Sequence, residues 1–154
     1  MKTRFATLLT TGIAMLILAQ FGGWAQNKYV PKENEELFGR WKDVKAADMQ
    51  TVFDSVGFKT YYGSTNNVVL NEATLEIDKK WTDAQGNIWY RALGLCVGQS
   101  PYVGTKFQAL YEVDTSKTEL KCKLNTVNEY DPSNYPTENG SEATNEYSFH
   151  RVEK

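Results

Sequence analysis

The chain has 154 residues, 17 Lys+Arg against 19 Asp+Glu, a formal charge of −2 and only two cysteines. No basic block stands out, which argues against nucleic acid and anionic membrane surfaces as partners. Aromatic residues make up 13% of the chain and long helical patterns are scarce, a balance that favours β structure.

The basic start Met1-Lys2-Thr3-Arg4 and the uncharged apolar run that follows it read as an export leader. Gly23-Trp24-Ala25 puts small residues three and one before a cut after Ala25, leaving residues 26–154 as one domain. The apolar core falls short of the about 20 residues of a comfortable membrane span. The leader looks bacterial, so the mature chain is expected to be soluble and exported, to the periplasm or beyond, with no membrane contact after cleavage. For the same reason no glycan is expected on the sequon Asn139-Gly140-Ser141.

A polar lead-in with Glu33, Glu35 and Glu36 precedes Gly39-x-Trp41, the first expected strand. Residues 46–57 carry Val52, Phe53 and Val56 at helical spacing before Gly57, which predicts one short helix. "FKTYYG" follows as an aromatic patch with Phe58, Tyr61 and Tyr62.

From residue 73 onward alternation dominates. It places Ala73, Leu75, Ile77 and Trp81 on one face, then Phe107, Ala109, Tyr111 and Val113, then Leu120, Cys122 and Leu124, then Tyr147, Phe149 and Arg151. Turn-forming "DAQGN" and "DTSK" separate these runs, so the pattern is a meander of hairpin-linked antiparallel strands. Residues 129–145 are polar and turn-rich and read as a long surface loop.

Gly39-x-Trp41 at the domain start, the meander, and Arg151 near the end of the last strand resemble the lipocalin and calycin superfamily, and within it the small exported bacterial lipocalin-like domains. The resemblance implies an all-β, single antiparallel up-and-down barrel of about eight strands. It also implies that Trp41 sits at the closed end with Arg151 packed across its ring. The residues support that contact on their own, because a guanidinium over an indole gains roughly 0.5–2 kcal/mol, and Gly39 leaves room for a close approach. On this reading the acidic run is a solvated turn that closes the barrel bottom. The departure from the family is region 46–72, read as helix plus aromatic patch where a second strand and a mouth loop belong.

Catalytic chemistry finds little footing. The single histidine, His150, alternates away from Phe149 and Arg151, no HExxH or GxSxG is present, and most carboxylates fall on solvent faces. Asp131, Asn134, Glu138 and Asn139 are hard-cation ligands in type, but their spacing matches no calcium loop, so no metal and no cofactor are expected. Cys96 and Cys122 lie on strands separated by a third. That puts them about 10 Å apart, beyond the about 7 Å a disulfide spans, and two buried free thiols are expected. Trp81, Tyr90, Phe107, Tyr111, Tyr147 and Phe149 either fill the barrel or line a lumen, with Phe58, Tyr61 and Tyr62 near its mouth. The expected function is a non-enzymatic binding protein for a small apolar or aromatic ligand. The alternative is a barrel that binds a protein, such as an inhibitor of a protease or lysozyme, through its loops.

Overall fold

A computed structural model describes residues 29–63, 68–98, 100–140 and 143–152. The leader and cleavage site expected from the sequence fall on residues outside the described ones. Eight strands run in chain order: β1 (Gly39–Asp43), β2 (Met49–Phe53), β3 (Gly57–Tyr62), β4 (Val68–Thr82), β5 (Ile88–Cys96), β6 (Lys106–Val113), β7 (Glu119–Val127) and β8 (Asn145–Arg151). Each pairs antiparallel with the next, and β1 closes on β8 through Trp41↔Arg151, Lys42↔His150 and Asp43↔Phe149. The molecule is a closed up-and-down barrel.

The helix expected over residues 46–57 does not form; that segment is β2 and the turn into β3. Thr51 and Phe53 are buried while Val52 between them is half-exposed, a period of two that the Val52/Phe53/Val56 spacing had masked. Asp54 then turns the chain, its Oδ1 accepting from the backbone of Val56 (2.8 Å) and Gly57 (3.0 Å), so the side chain supplies the partners a helix would have supplied. The helical structure among the described residues is a 3-10 turn at Pro132–Asn134, capped by Asp131.

Two bulges in β4 decide which of its side chains face inward. Ile77 pairs with Ala92 but Lys79 pairs with Arg91, leaving Asp78 as an extra residue. One inserted residue exchanges the two faces of everything beyond it. Lys80 therefore points into the barrel and Trp81 points out, where its ring stacks on Trp89 at 6.1 Å. A second shift leaves Leu70 unpaired between Asn71↔Thr60 and Val69↔Tyr61.

The floor is built from both chain ends. Trp41 is fully buried and donates Nε1–H to the Leu37 carbonyl (2.8 Å), while Arg151 lies 4.1 Å over its ring. The guanidinium also donates to the carbonyls of Lys117 (2.8 Å), Phe38 (3.2 Å) and Glu36. Gly39 is required beside it: its φ is +125°, and a Cβ there would meet Arg151 Nη1 at 3.0 Å. The acidic run is not a solvated turn. Glu35 is 4% exposed, and Lys80 Nζ bridges Glu35 Oε2 and Glu36 Oε2 at 2.6 Å each.

The segment 129–140 is a strap across the outer wall. Buried Gln108 exchanges two hydrogen bonds with the Asp131 backbone (2.8 and 2.9 Å). Lys123 Nζ donates to the carbonyls of Glu138 and Gly140, and Tyr135 OH donates to Asp78 Oδ2 (3.1 Å) while the Arg91 guanidinium lies 4.5 Å over the Tyr135 ring. Trp81 donates to Glu138 (3.0 Å), which puts that residue under the strap instead of in the lumen.

Candidate functional site

Inside the barrel, side-chain size varies with height. On β5 the inward sequence is Tyr90, Ala92, Gly94, Cys96, and on β6 it is Phe107, Ala109, Tyr111, Val113. Tyr90 fills the floor. Gly94 lets the Phe107 ring lie flat, since a Cβ there would sit 2.0 Å from the ring. Small Ala92 and Ala109 pair directly and take no further space. The upper half of the lumen is left open.

That space forms two cavities sharing a wall. One, of about 280 Å³, is lined by aromatic Phe53, Phe58, Tyr102, Tyr111, Tyr147 and Phe149, with Leu70, Leu124, Met49 and Cys122 among them. The other, about 230 Å³, reaches Phe107, Cys96, Thr105, Thr126 and Asn145. Both touch Phe58, Asn71, Tyr102, Leu124 and Tyr147. The polar groups are few and placed. Thr51 and Thr60 hydroxyls bond each other at 2.9 Å. Ser100 Oγ donates to Asn71 Oδ1 (2.7 Å) and accepts from Tyr102 N (3.1 Å), which fixes the loop carrying Tyr102 over the mouth. Asp43, at the top of β1, completes the rim.

Of the nine aromatics read from the sequence as lumen or mouth candidates, Phe58, Phe107, Tyr111, Tyr147 and Phe149 line these cavities. Four do not. Trp81 is outside because of the Asp78 bulge. Tyr90 is inside but sealed in the floor, 0% exposed, bonded to Glu35 (3.0 Å) and Glu36 (2.7 Å). Tyr61 pairs with Gln50 on the outward register, and Tyr62 stands at the end of β3, 55% exposed. Sequence reading missed Phe53, hidden in the supposed helix, and Tyr102, in a turn with no periodicity. It also missed Asp43, Thr51, Thr60 and Asn71, whose inward aim appears only once strand register is known.

Cys96 and Cys122 are both free and buried. Burial pushes the Cys122 thiol up to about 12 and raises Cys96 too, so neither is a nucleophile at neutral pH. Burial raises Tyr111 well above its ordinary value, with Cys122 adding to the effect. Burial likewise raises Tyr147, helped by the neighbouring Cys122, Tyr102 and Asp43. His150 is exposed on the outer wall. Among the described residues these groups make an aromatic cup with one carboxylate at its lip.

No family model, curated protein or solved structure matches the chain. The reading of the site therefore rests on its geometry.

Proposed function

We propose that this chain is an exported, lipocalin-like binding protein that holds a small apolar or aromatic ligand in the upper lumen and performs no chemistry on it. The observation that carries the reading is the unfilled upper half of the barrel, walled by seven aromatic rings and a few placed polar groups. Such a composition suits ligand pockets, where apolar surface gives affinity and sparse polar groups give orientation. The Trp41–Arg151 contact at the closed end supports the family likeness.

A fluorescence titration with the neutral probe N-phenyl-1-naphthylamine tests the reading. Saturable binding is expected, and Leu124→Trp, which pushes an indole into the wall shared by both cavities, should abolish it. Failure of the unaltered protein to bind, together with no small molecule retained in native mass spectrometry, would sink the proposal.

The second reading, a protein-binding barrel, draws on the mouth. Tyr102 (61% exposed), Val103 (58%) and Val68 (53%) leave apolar surface there. If the loops act and the lumen does not, Tyr102→Ser with Val103→Ser removes partner binding while Leu124→Trp leaves it intact.

A further inference from the structure

Resting on the reading of the upper lumen as a ligand site, we infer that the site selects a ligand carrying a positive charge on an aromatic or apolar body: a primary or substituted amine instead of a carboxylic acid. The argument is one of sign. Among the described residues, no Lys, Arg or His lines either cavity. The ionisable groups that do are Asp43, Tyr102, Tyr111, Tyr147, Cys96 and Cys122, each of which is neutral or negative in every protonation state. The remaining polar groups are hydroxyls and amides, and the wall is otherwise ring faces, which are themselves electron-rich.

Asp43 is the one carboxylate of this set. Its Oδ1 is taken by the backbone N–H groups of Lys45 (2.7 Å) and Ala46 (2.9 Å), which hold the carboxylate in place at the end of β1. Among the described residues no hydrogen bond or ion pair reaches Oδ2. The neighbouring Lys42 is exposed and paired across to outward-facing His150, and Lys45 is exposed on the turn beyond, so neither cation shares the cavity. Tyr147 and Phe149 stack with centroids 6.3 Å apart on the adjoining strand, and Asp43 pairs directly with Phe149.

An ammonium seated between these rings and Oδ2 would exchange its water for a carboxylate and π faces, both favourable to a cation. A carboxylate ligand in the same place would lose its water and meet a like charge, with no donor cation to compensate. A neutral alcohol of the same shape lies between. The order of affinity should therefore be amine, alcohol, acid.

Three ligands with the same ring and arm test this: tryptamine, tryptophol and indole-3-propionate, each titrated against the purified exported protein at neutral pH and low salt, with displacement of N-phenyl-1-naphthylamine as readout. Tryptamine is expected to bind about tenfold tighter than tryptophol, with indole-3-propionate weakest. Asp43→Asn keeps an oxygen for the Lys45 and Ala46 amides, and should remove the preference for tryptamine over tryptophol, read as the ratio of the two affinities within the variant. Equal affinity for amine and acid in the unaltered protein overturns the inference whatever the variant does. An unchanged order in Asp43→Asn overturns the role of Asp43. Binding of the fluorophore and tryptophol without discrimination by charge removes the inference and leaves the lumen reading standing. Binding of none of them removes both.

Discussion

Trp41 and Arg151 join the two ends of the domain across one strand pair. The indole is fully buried, and the guanidinium covers it at 4.1 Å while donating to three backbone carbonyls. Arg151→Met keeps much of the apolar stem but leaves those carbonyls short of a donor, and should cost roughly 1–3 kcal/mol. Trp41→Ala should cost more, about 3–5 kcal/mol, through the cavity it opens. The double variant should cost less than the sum, because each single change already breaks the shared contact. Urea denaturation of the three variants checks this, and strict additivity would show that the contact carries no coupling energy.

At the scale of elements, β4 governs the outcome. Its Asp78 bulge sends Lys80 to the floor and frees Asp78 to hold Arg91 in a two-pronged pair (2.9 and 2.8 Å) while accepting from Tyr135. Asp78→Ala should therefore loosen the strap more than the barrel. Limited proteolysis is expected to cut faster within residues 129–140, with a stability loss of about 1–3 kcal/mol. Equal cleavage rates would show that the other tethers, Gln108, Lys123 and Trp81 among them, hold the strap without Asp78. Trp81→Phe, outside the wall, should leave lumen binding unchanged in the fluorophore titration.

The same element marks where the sequence could be read and where it could not. Unbroken alternation over β6, β7 and β8 identified Phe107, Tyr111, Leu120, Cys122, Leu124 and Phe149 as inward, and the free thiols followed from strand order. A bulge inserts one residue without a composition of its own, so "IDKKW" read as continuous alternation and put Trp81 on the wrong face. The polar groups of the cup were illegible for another reason. Thr51, Thr60 and Asn71 align across β2, β3 and β4, and only register brings them side by side.

For the molecule as a whole, the two ends of the barrel divide the work. The mouth is open and aromatic, and the floor is locked by charge. Burial disfavours the ionised form of Glu36, but hydrogen bonds from Lys80 and Tyr90 outweigh it and hold the carboxyl down at about 2. Glu35 is also lowered against the cost of burial, by the Lys32 amide, Lys80 and the two tyrosines. Lys80 is raised, since its bonds to Glu35 and Glu36 overcome burial. Carboxylates with lowered values contribute stability that is complete above their unfolded value of about 4.3 and lost as pH falls toward 2. A lysine with a raised value contributes below its unfolded value of about 10.4, and that contribution is lost as pH rises through the folded one. The buried thiols Cys122 and Cys96, raised above their unfolded value of about 8.5, contribute stability that is lost once pH passes that value. Stability should thus be flat between about pH 5 and pH 8 and fall on either side.

Lys80→Met makes the prediction sharp. It leaves two neighbouring carboxylates in the floor with no cation from β4, at a cost of about 3–5 kcal/mol near neutral pH. Their protonation would then relieve repulsion and desolvation together, so their folded values rise instead of falling. The acid limb should reverse: going from pH 7 toward pH 5 should stabilise Lys80→Met, while it leaves the parent unchanged. Adding Glu35→Gln to that variant should recover part of the loss at pH 7 and flatten the reversal. Denaturation midpoints collected across this pH range read the effect directly. Parallel profiles for the parent and Lys80→Met would mean that Lys80 is not what holds the acidic run in the floor.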